Sequence, residues 1–309
     1  MSKKIIFMGT PLFCVPILKS LYQNGYNISV VYTQPPQKSH RGQQINKSPI
    51  QGISETLNID YRTPTTFKDN HEEYEFLKEL NADLSVVCAF GQIIPKNFLK
   101  IPKYGFINIH ASLLPKWRGA APIQRTIMNL DNETGISLMK LNENLDEGPV
   151  CSQHKIKITK NMNSTDLSES LASLASQKIL TDLDSIYDGS IKFVDQDHSK
   201  ATYANKIKKS EGKINWNESA NTIIGKINGL YPFPGAWFVF KGERYKILKS
   251  EFSNSKGTPG TILNENLEIS CSENSIKVLE IQREGKKVQK ASEFMLGTKL
   301  KKGTNLNDV

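Results

Sequence analysis

The stretch from Lys4 to Tyr32 leaves few architectures open. Ile5-Ile6-Phe7-Met8 is an apolar strand, Gly9-Thr10-Pro11 is a turn, and Leu12 to Leu21 spaces its apolar residues as an amphipathic helix; Ile28 to Tyr32 is a second strand. A further strand fits Leu84 to Ala89 after a charged helix around Glu72 to Leu80, and another fits Phe106 to His110. Strands alternating with helices over the first half imply an open α/β sheet.

Thr165 to Tyr187 is a long helical pattern with Ser164 as its N-cap, Asp166 and Glu169 in its first turns and Gly189 past its end. It closes the first domain. Ile191 to Lys206 has no sustained periodicity and reads as a linker. Beyond it, Trp216 leads into a short helix at about Glu218 to Leu230, Pro232 and Pro234 stop that helix, and short strands come after it at Ala236 to Phe240, Tyr245 to Leu248, Leu267 to Cys271 and Ile276 to Ile281. Short strands between Gly-rich and Asn-rich turns make a small barrel. A chain of 309 residues is ample for two such domains. The expected division is 1–189, a linker at 190–206, and 207–309.

With 38% hydrophobic and 23% charged residues the chain is globular, not disordered or fibrous. The basic start reaches Gly9-Thr10-Pro11 before a signal-peptide apolar run can build, and no stretch is long and apolar enough for a membrane span, so the expected location is the cytosol. Cys14, Cys88, Cys151 and Cys271 lack CxxC spacing, and His40, His71, His110, His154 and His198 have no metal-ligand spacing, so neither a disulfide framework nor a metal is expected. Charge is unevenly divided: residues 1–202 hold 22 Lys+Arg against 20 Asp+Glu, and residues 203–309 hold 18 against 11. A basic C-terminal third fits a phosphate-rich partner, and equally a solvated lysine surface.

The residues able to do chemistry begin in Phe106-Ile107-Asn108-Ile109-His110. Side chains alternate along a strand, so Asn108 and His110 share one face and the isoleucines the other. An amide and an imidazole side by side suit an acyl transfer through a tetrahedral intermediate, both able to donate to a carbonyl oxygen. The same spacing also serves a strand whose polar face meets water. The next stretch of chain is less ordinary: Ser112-Leu113-Leu114-Pro115-Lys116-Trp117-Arg118-Gly119-Ala120-Ala121-Pro122-Ile123-Gln124-Arg125. This string, preceded by Asn-x-His-Ala, resembles the methionyl-tRNA formyltransferase family. The resemblance runs along the chain, through Met8 to Pro11, Ala89 to Pro95, Leu145-Asp146-Glu147-Gly148, Lys213 to Trp216 and Leu230 to Ala236.

The resemblance implies a Rossmann-like formyltransferase domain followed by a small OB-type barrel that binds tRNA. It implies formyl transfer from 10-formyltetrahydrofolate to the amino group of methionine on charged initiator tRNA, by direct attack and without an acyl-enzyme. Asn108, His110 and Asp146 match the family's catalytic trio: Asn108 hydrogen-bonds the formyl oxygen, protonated His110 stabilises the oxyanion, and Asp146 holds the histidine charged and relays a proton. Ser112, Leu113, Leu114 and Pro115 match its formyl-folate signature. Phe90, Gly91, Gln92, Ile93, Ile94 and Pro95 match the loop of its pterin pocket. The polar loop Gln34 to Lys47, with Lys38 and Arg41, matches a segment contacting the tRNA acceptor end. Separately, the basic residues Lys206, Lys208 and Lys209, with later lysine clusters, would give the barrel domain a phosphate-tracking surface, although each cluster alone also serves a solvated face. No metal and no obligate protein partner are implied. Pro36, Gln37, Pro149 and Asn228 depart from the family pattern, the first two within the loop matched to the tRNA, and none of them replaces a catalytic residue.

Relatives that formylate a purine precursor or a sugar nucleotide need no basic C-terminal module. A non-catalytic RNA-binding protein would not need Asn108, His110 and Asp146, and a hydrolase releasing formate leaves the C-terminal charge unexplained.

Overall fold

The structure is a computed structural model and describes residues 3–39, 44–298 and 300–307. In chain order its elements are β1 (Lys4–Gly9), α1 (Val15–Gln23), β2 (Asn27–Tyr32), β3 (Gln37–Ser39), β4 (Gln44–Asn46), α2 (Pro49–Thr56), β5 (Tyr61–Arg62), α3 (His71–Leu80), β6 (Leu84–Cys88) and β7 (Phe106–His110). They continue with α4 (Pro122–Met128), β8 (Glu133–Lys140), β9 (Val150–Lys157), α5 (Ser164–Tyr187), α6 (Ala220–Gly229), β10 (Ala236–Phe240), β11 (Glu243–Ser253), β12 (Glu268–Ser270), β13 (Ser275–Arg283), β14 (Val288–Lys290) and α7 (Ala291–Leu296). The chain packs as two compact units. One comprises 1–119, 134–156 and 168–203; the other comprises 120–133, 157–167 and 204–309.

The first unit is built on a seven-stranded sheet in the order β5-β2-β1-β6-β7-β8-β9. Strand β1 lies parallel to β2 and β6, and β7 is parallel to β6, so the expected open α/β sheet is present. Every residue of β6 is buried, as a strand covered on both faces requires. Strand β8 runs antiparallel to β7, with Asn108 opposite Met139 and His110 opposite Ser137. Helix α3 starts and stops where local chemistry dictates. The Asn70 side chain accepts from the Glu73 N–H, Glu72 and Glu73 face the positive end of the helix dipole, and Asn81 ends it in the left-handed region. The apolar centre gathers around Phe67, whose ring centroid lies 5.3 Å from Tyr32, 5.8 Å from Phe90 and 5.2 Å from Phe98.

The second unit carries an antiparallel sheet, β10-β11-β13-β12 with β14 on β13, curled into a half-barrel. Register breaks in β11 near Lys249 help the long β11–β13 pair to bend. Trp216, Ile223, Ile227, Phe238, Tyr245 and Phe294 fill its core. Arg125 pairs with Glu211 here, at 2.6 Å from Nη1 to Oε2.

Three expectations need revision. Asn163, not Ser164, caps α5: its Oδ1 accepts from the N–H groups of Thr165 and Asp166, while the Ser164 hydroxyl donates to the Gly229 carbonyl. Strands β8 and β9, which no sequence pattern announced, extend the sheet. The segment expected as a linker is strapped down over much of its length. Val194 exchanges both backbone hydrogen bonds with Val150, and the backbone of Thr202 bonds Pro115 and Arg118.

Candidate active site

Strand β7 delivers Asn108 and His110, and the turn after it returns to them. The Ser112 hydroxyl donates to the Lys116 carbonyl at 2.6 Å, closing the 112–116 turn on itself. Ser137 on β8 pins that turn from beneath: its hydroxyl donates to Ser112 O at 2.7 Å and accepts from the Leu114 N–H at 3.0 Å. Gln153 on β9 donates to Leu114 O and to the Ser137 hydroxyl. Of the four predicted folate residues here, Ser112 and Leu114 are buried, and Leu113 and Pro115 are half-exposed. Trp117 then takes a positive φ of 60°, which turns its carbonyl onto His110 Nε2 at 2.9 Å.

That contact sets the direction of the imidazole. A carbonyl only accepts, so Nε2 carries a proton and Nδ1 faces the other way. Opposite Nδ1, at 3.6 Å, stands Asp146 Oδ2. The same oxygen accepts the Gly119 N–H at 2.8 Å, so the carboxylate is oriented by the backbone just past the turn. His110 and Asp146 are both largely buried, which strengthens the field between them. Asn108 is half-exposed, and no hydrogen bond among the described residues holds its amide. An unengaged donor beside an oriented imidazole and carboxylate is suited to stabilising a developing oxyanion and moving one proton.

Asp146 sits at φ 51°, a left-handed conformation an Asp tolerates but does not choose alone. Its loop is held by Gln196, which no sequence motif singled out, and by Arg118, which lies in the quoted string without a role assigned to it. Gln196, from the expected linker, donates through Nε2 to the carbonyls of Asp146 at 2.8 Å and Gly148 at 2.7 Å. Its Oε1 accepts from Nε and Nη2 of Arg118, which is only 1% exposed. The remaining guanidinium nitrogen, Nη1, reaches Glu147 Oε1 at 3.1 Å and His198 Nδ1 at 3.3 Å. An arginine inside an apolar string was the one available signal for this cluster; Gln196 had none. Gly148 is required for a different reason. A Cβ there would come within 1.8 Å of the Lys140 carbonyl.

The second predicted loop, 90–95, lies past the end of β6. Phe90 and Ile94 point into the core, whereas Gly91 and Ile93 face outward, Ile93 at 89% exposure. The Phe90 carbonyl accepts from Thr10 Oγ1 at 2.9 Å and Gln34 Nε2 at 3.1 Å, joining the loops after β1, β2 and β6. Thr10 is thus a structural clamp. Gln92 donates to the Pro64 carbonyl, and its Oε1 is buried without a partner among the described residues. Half-exposed Pro95 ends the loop.

Lys206, Lys208 and Lys209 are exposed and belong to the second unit, where the Lys209 ammonium stands 5.9 Å from the ring of Phe233. Arg41 lies outside the described residues, and of Lys38 only the backbone, in β3, is described. Among the described residues no group of three or more His, Cys, Asp or Glu could hold a metal ion, and no helix is long and apolar enough to cross a membrane. Burial holds the Cys151 thiol up at about 12, with Asp182 adding to the effect.

The formyl transferase family profile matches residues 3–183, and the formyl transferase C-terminal domain profile matches 206–299. A methionyl-tRNA formyltransferase of Pelagibacter ubique (strain HTCC1062) is 59% identical over the whole of both chains. One from Chelativorans sp. (strain BNC1) is 39% identical over 99% of this chain and 100% of its own. Among solved structures, the sugar 3N-formyl transferase WlaRD, in the presence of dTDP and 5-N-formyl-THF, superposes with a TM-score of 0.68 at 21% identity. It covers 93% of this chain and 100% of that one. HypX from Aquifex aeolicus in complex with tetrahydrofolic acid superposes at 0.67 and 16% identity, over 98% of this chain and 49% of that one. At such identities the two structures speak for the fold alone.

Proposed function

Since this chain belongs to the methionyl-tRNA formyltransferase family, we propose that it transfers a formyl group from 10-formyltetrahydrofolate to the amino group of methionine on charged initiator tRNA. The donor supplies an acyl carbon on a nitrogen able to leave, so no enzyme-bound acyl group is needed. The amine forms the new N–C bond, the bond from that carbon to the folate nitrogen breaks, and one proton passes from the amine to the departing nitrogen.

In this reading Asn108 donates its amide to the formyl oxygen, His110 offsets the negative charge that grows there, and Asp146 keeps the imidazole charged and passes the proton on. The observation that carries it is the pairing of His110 Nδ1 with an Asp146 carboxylate already oriented by the Gly119 N–H. Phe90 to Pro95 and Ser112 to Pro115 would hold the folate, with the exposed backbone at Gly91 offered to the pterin edge. The exposed lysines at 206, 208 and 209, and the +7 excess of the C-terminal third, suit the tRNA backbone. The reaction belongs in the cytosol, where charged tRNA and reduced folates meet.

The test is direct. The protein is incubated with 10-formyltetrahydrofolate and methionine-charged initiator tRNA, and formyl-methionine is sought after deacylation. Formate release without that product would sink the reading. His110→Ala and Asp146→Asn are each expected to lower turnover by about 10²-fold or more while the fold persists.

A further inference from the structure

We infer that Gln196 is a positioning residue for the transfer, holding the Asp146 carboxylate in place from behind, with Arg118 fixing which way the Gln196 amide points; this rests on the formyl-transfer function proposed for the site. The loop from Leu141 to Pro149 belongs to no helix or strand, and Asp146 within it has a positive φ of 51°. The loop's own hydrogen bonds, Asn144 N–H to Asn142 Oδ1 and Lys140 N–H to Pro149 O, do not include Asp146. The restraint comes from 50 residues along the chain: one buried –NH₂ group bridges the carbonyls on either side of Glu147, at 2.8 and 2.7 Å.

The orientation of that amide is settled by chemistry. Arg118 has only donors, and two of its nitrogens converge on one atom of Gln196, at 3.0 and 2.9 Å. That atom must be the oxygen. The –NH₂ group therefore faces Asp146 and Gly148, whose carbonyls can only accept. The third arm of the guanidinium holds the Glu147 carboxylate, so one buried cation grips the loop twice, through Gln196 and directly. Gln196 is steadied in turn by the two backbone bonds between Val194 and Val150, at 2.8 and 2.9 Å. The chain of restraint runs from Arg118 to Gln196, to the backbone of Asp146, to its carboxylate at Gly119 N and His110.

A glutamate at 196 separates this role from simple packing. Gln196→Glu keeps the shape and the oxygen that Arg118 binds, and adds attraction to the guanidinium, yet cannot donate to two carbonyls. If 196 is only a strut tying its segment to Arg118, the variant works as well as the parent. If the donor matters, it fails. With the full-length protein, kcat in the transfer assay is expected to fall about 10²-fold in Gln196→Glu and in Gln196→Met. KM for the folate donor and the tRNA should stay within about threefold of wild type, since no substrate contact is removed. The Gly119 amide, whose proton is held by Asp146, should exchange with solvent faster than in the wild type.

Wild-type kcat together with unchanged Gly119 exchange in Gln196→Glu overturns the inference. Should that variant unfold below the assay temperature, Gln196→Asn, which withdraws the same amide by one methylene, carries the same pair of readouts. Failure of the proposed function looks different: the wild-type protein would then make no formyl-methionyl product, while the exchange measurement on Gly119 would still report on the restraint.

Discussion

Replacing Gly148 by alanine adds one methyl group at the tightest approach in the catalytic loop. Its Cβ would stand 1.8 Å from the Lys140 carbonyl oxygen and 3.1 Å from the Met139 side-chain end. Real Cβ atoms essentially never come within 3.0 Å of such a neighbour, so backbone must retreat by at least 1.2 Å. There is little slack to absorb it. The next residue, Pro149, accepts from the Lys140 N–H at 2.9 Å, and the Gly148 carbonyl accepts from Gln196 at 2.7 Å. A displacement of that size along either bond takes it outside hydrogen-bonding range. Asp146 lies two residues away and moves with the loop. Overpacking of this kind costs about 1–3 kcal/mol, and a misplacement on the order of 1 Å at a reacting centre costs about 10²-fold in rate. Gly148→Ala should therefore lower kcat in the transfer assay by about 10²-fold and shift the urea midpoint downward. Gly52 in α2 is the control, since a Cβ there meets nothing within 4 Å. Gly52→Ala should leave kcat alone and add about 0.4–1 kcal/mol of stability. Wild-type kcat and an unchanged midpoint in Gly148→Ala would refute the argument.

The packing carries two further expected outcomes. Ser137→Ala removes a buried hydroxyl that serves Ser112 O, Leu114 N and Gln153 Nε2 at once, so a loss of about 1–3 kcal/mol in urea unfolding is expected; a change under a few tenths would show that the turn does not depend on it. Glu211 is held below its ordinary value of 4.5, chiefly by its hydrogen bond from Arg125. A depressed folded value means the stabilisation is present above 4.5 and is lost as pH falls through the folded value, so Glu211→Gln should flatten the acid limb of the stability curve below pH 4.5; parallel limbs for variant and parent would contradict this.

The strand, turn and helix from Lys4 to Tyr32 were legible because their signals are local: a continuous apolar run, a Gly-Thr-Pro break and helical spacing each act over a few residues. The same holds for Asn108 and His110, which share a face because a strand alternates. Strand β9 was not legible. Its Ser152, Gln153 and His154 interrupt any apolar alternation, and only the fold supplies their partners: Asp182 for Ser152 and His154, and Leu114 and Ser137 for Gln153. Ser164 illustrates the converse, a good capping residue whose hydroxyl is drawn to Gly229 while Asn163 takes the cap. The sequence by itself determined the alternating sheet of the first unit, the short-stranded character of the second, and which polar residues lie at the end of β7. Only the tertiary structure decided how Asp146 is held. A carboxylate at positive φ, 36 residues past His110, owes its place to a buried arginine and a glutamine that no periodicity marks, because hydrogen bonds between distant segments leave no local pattern in the chain.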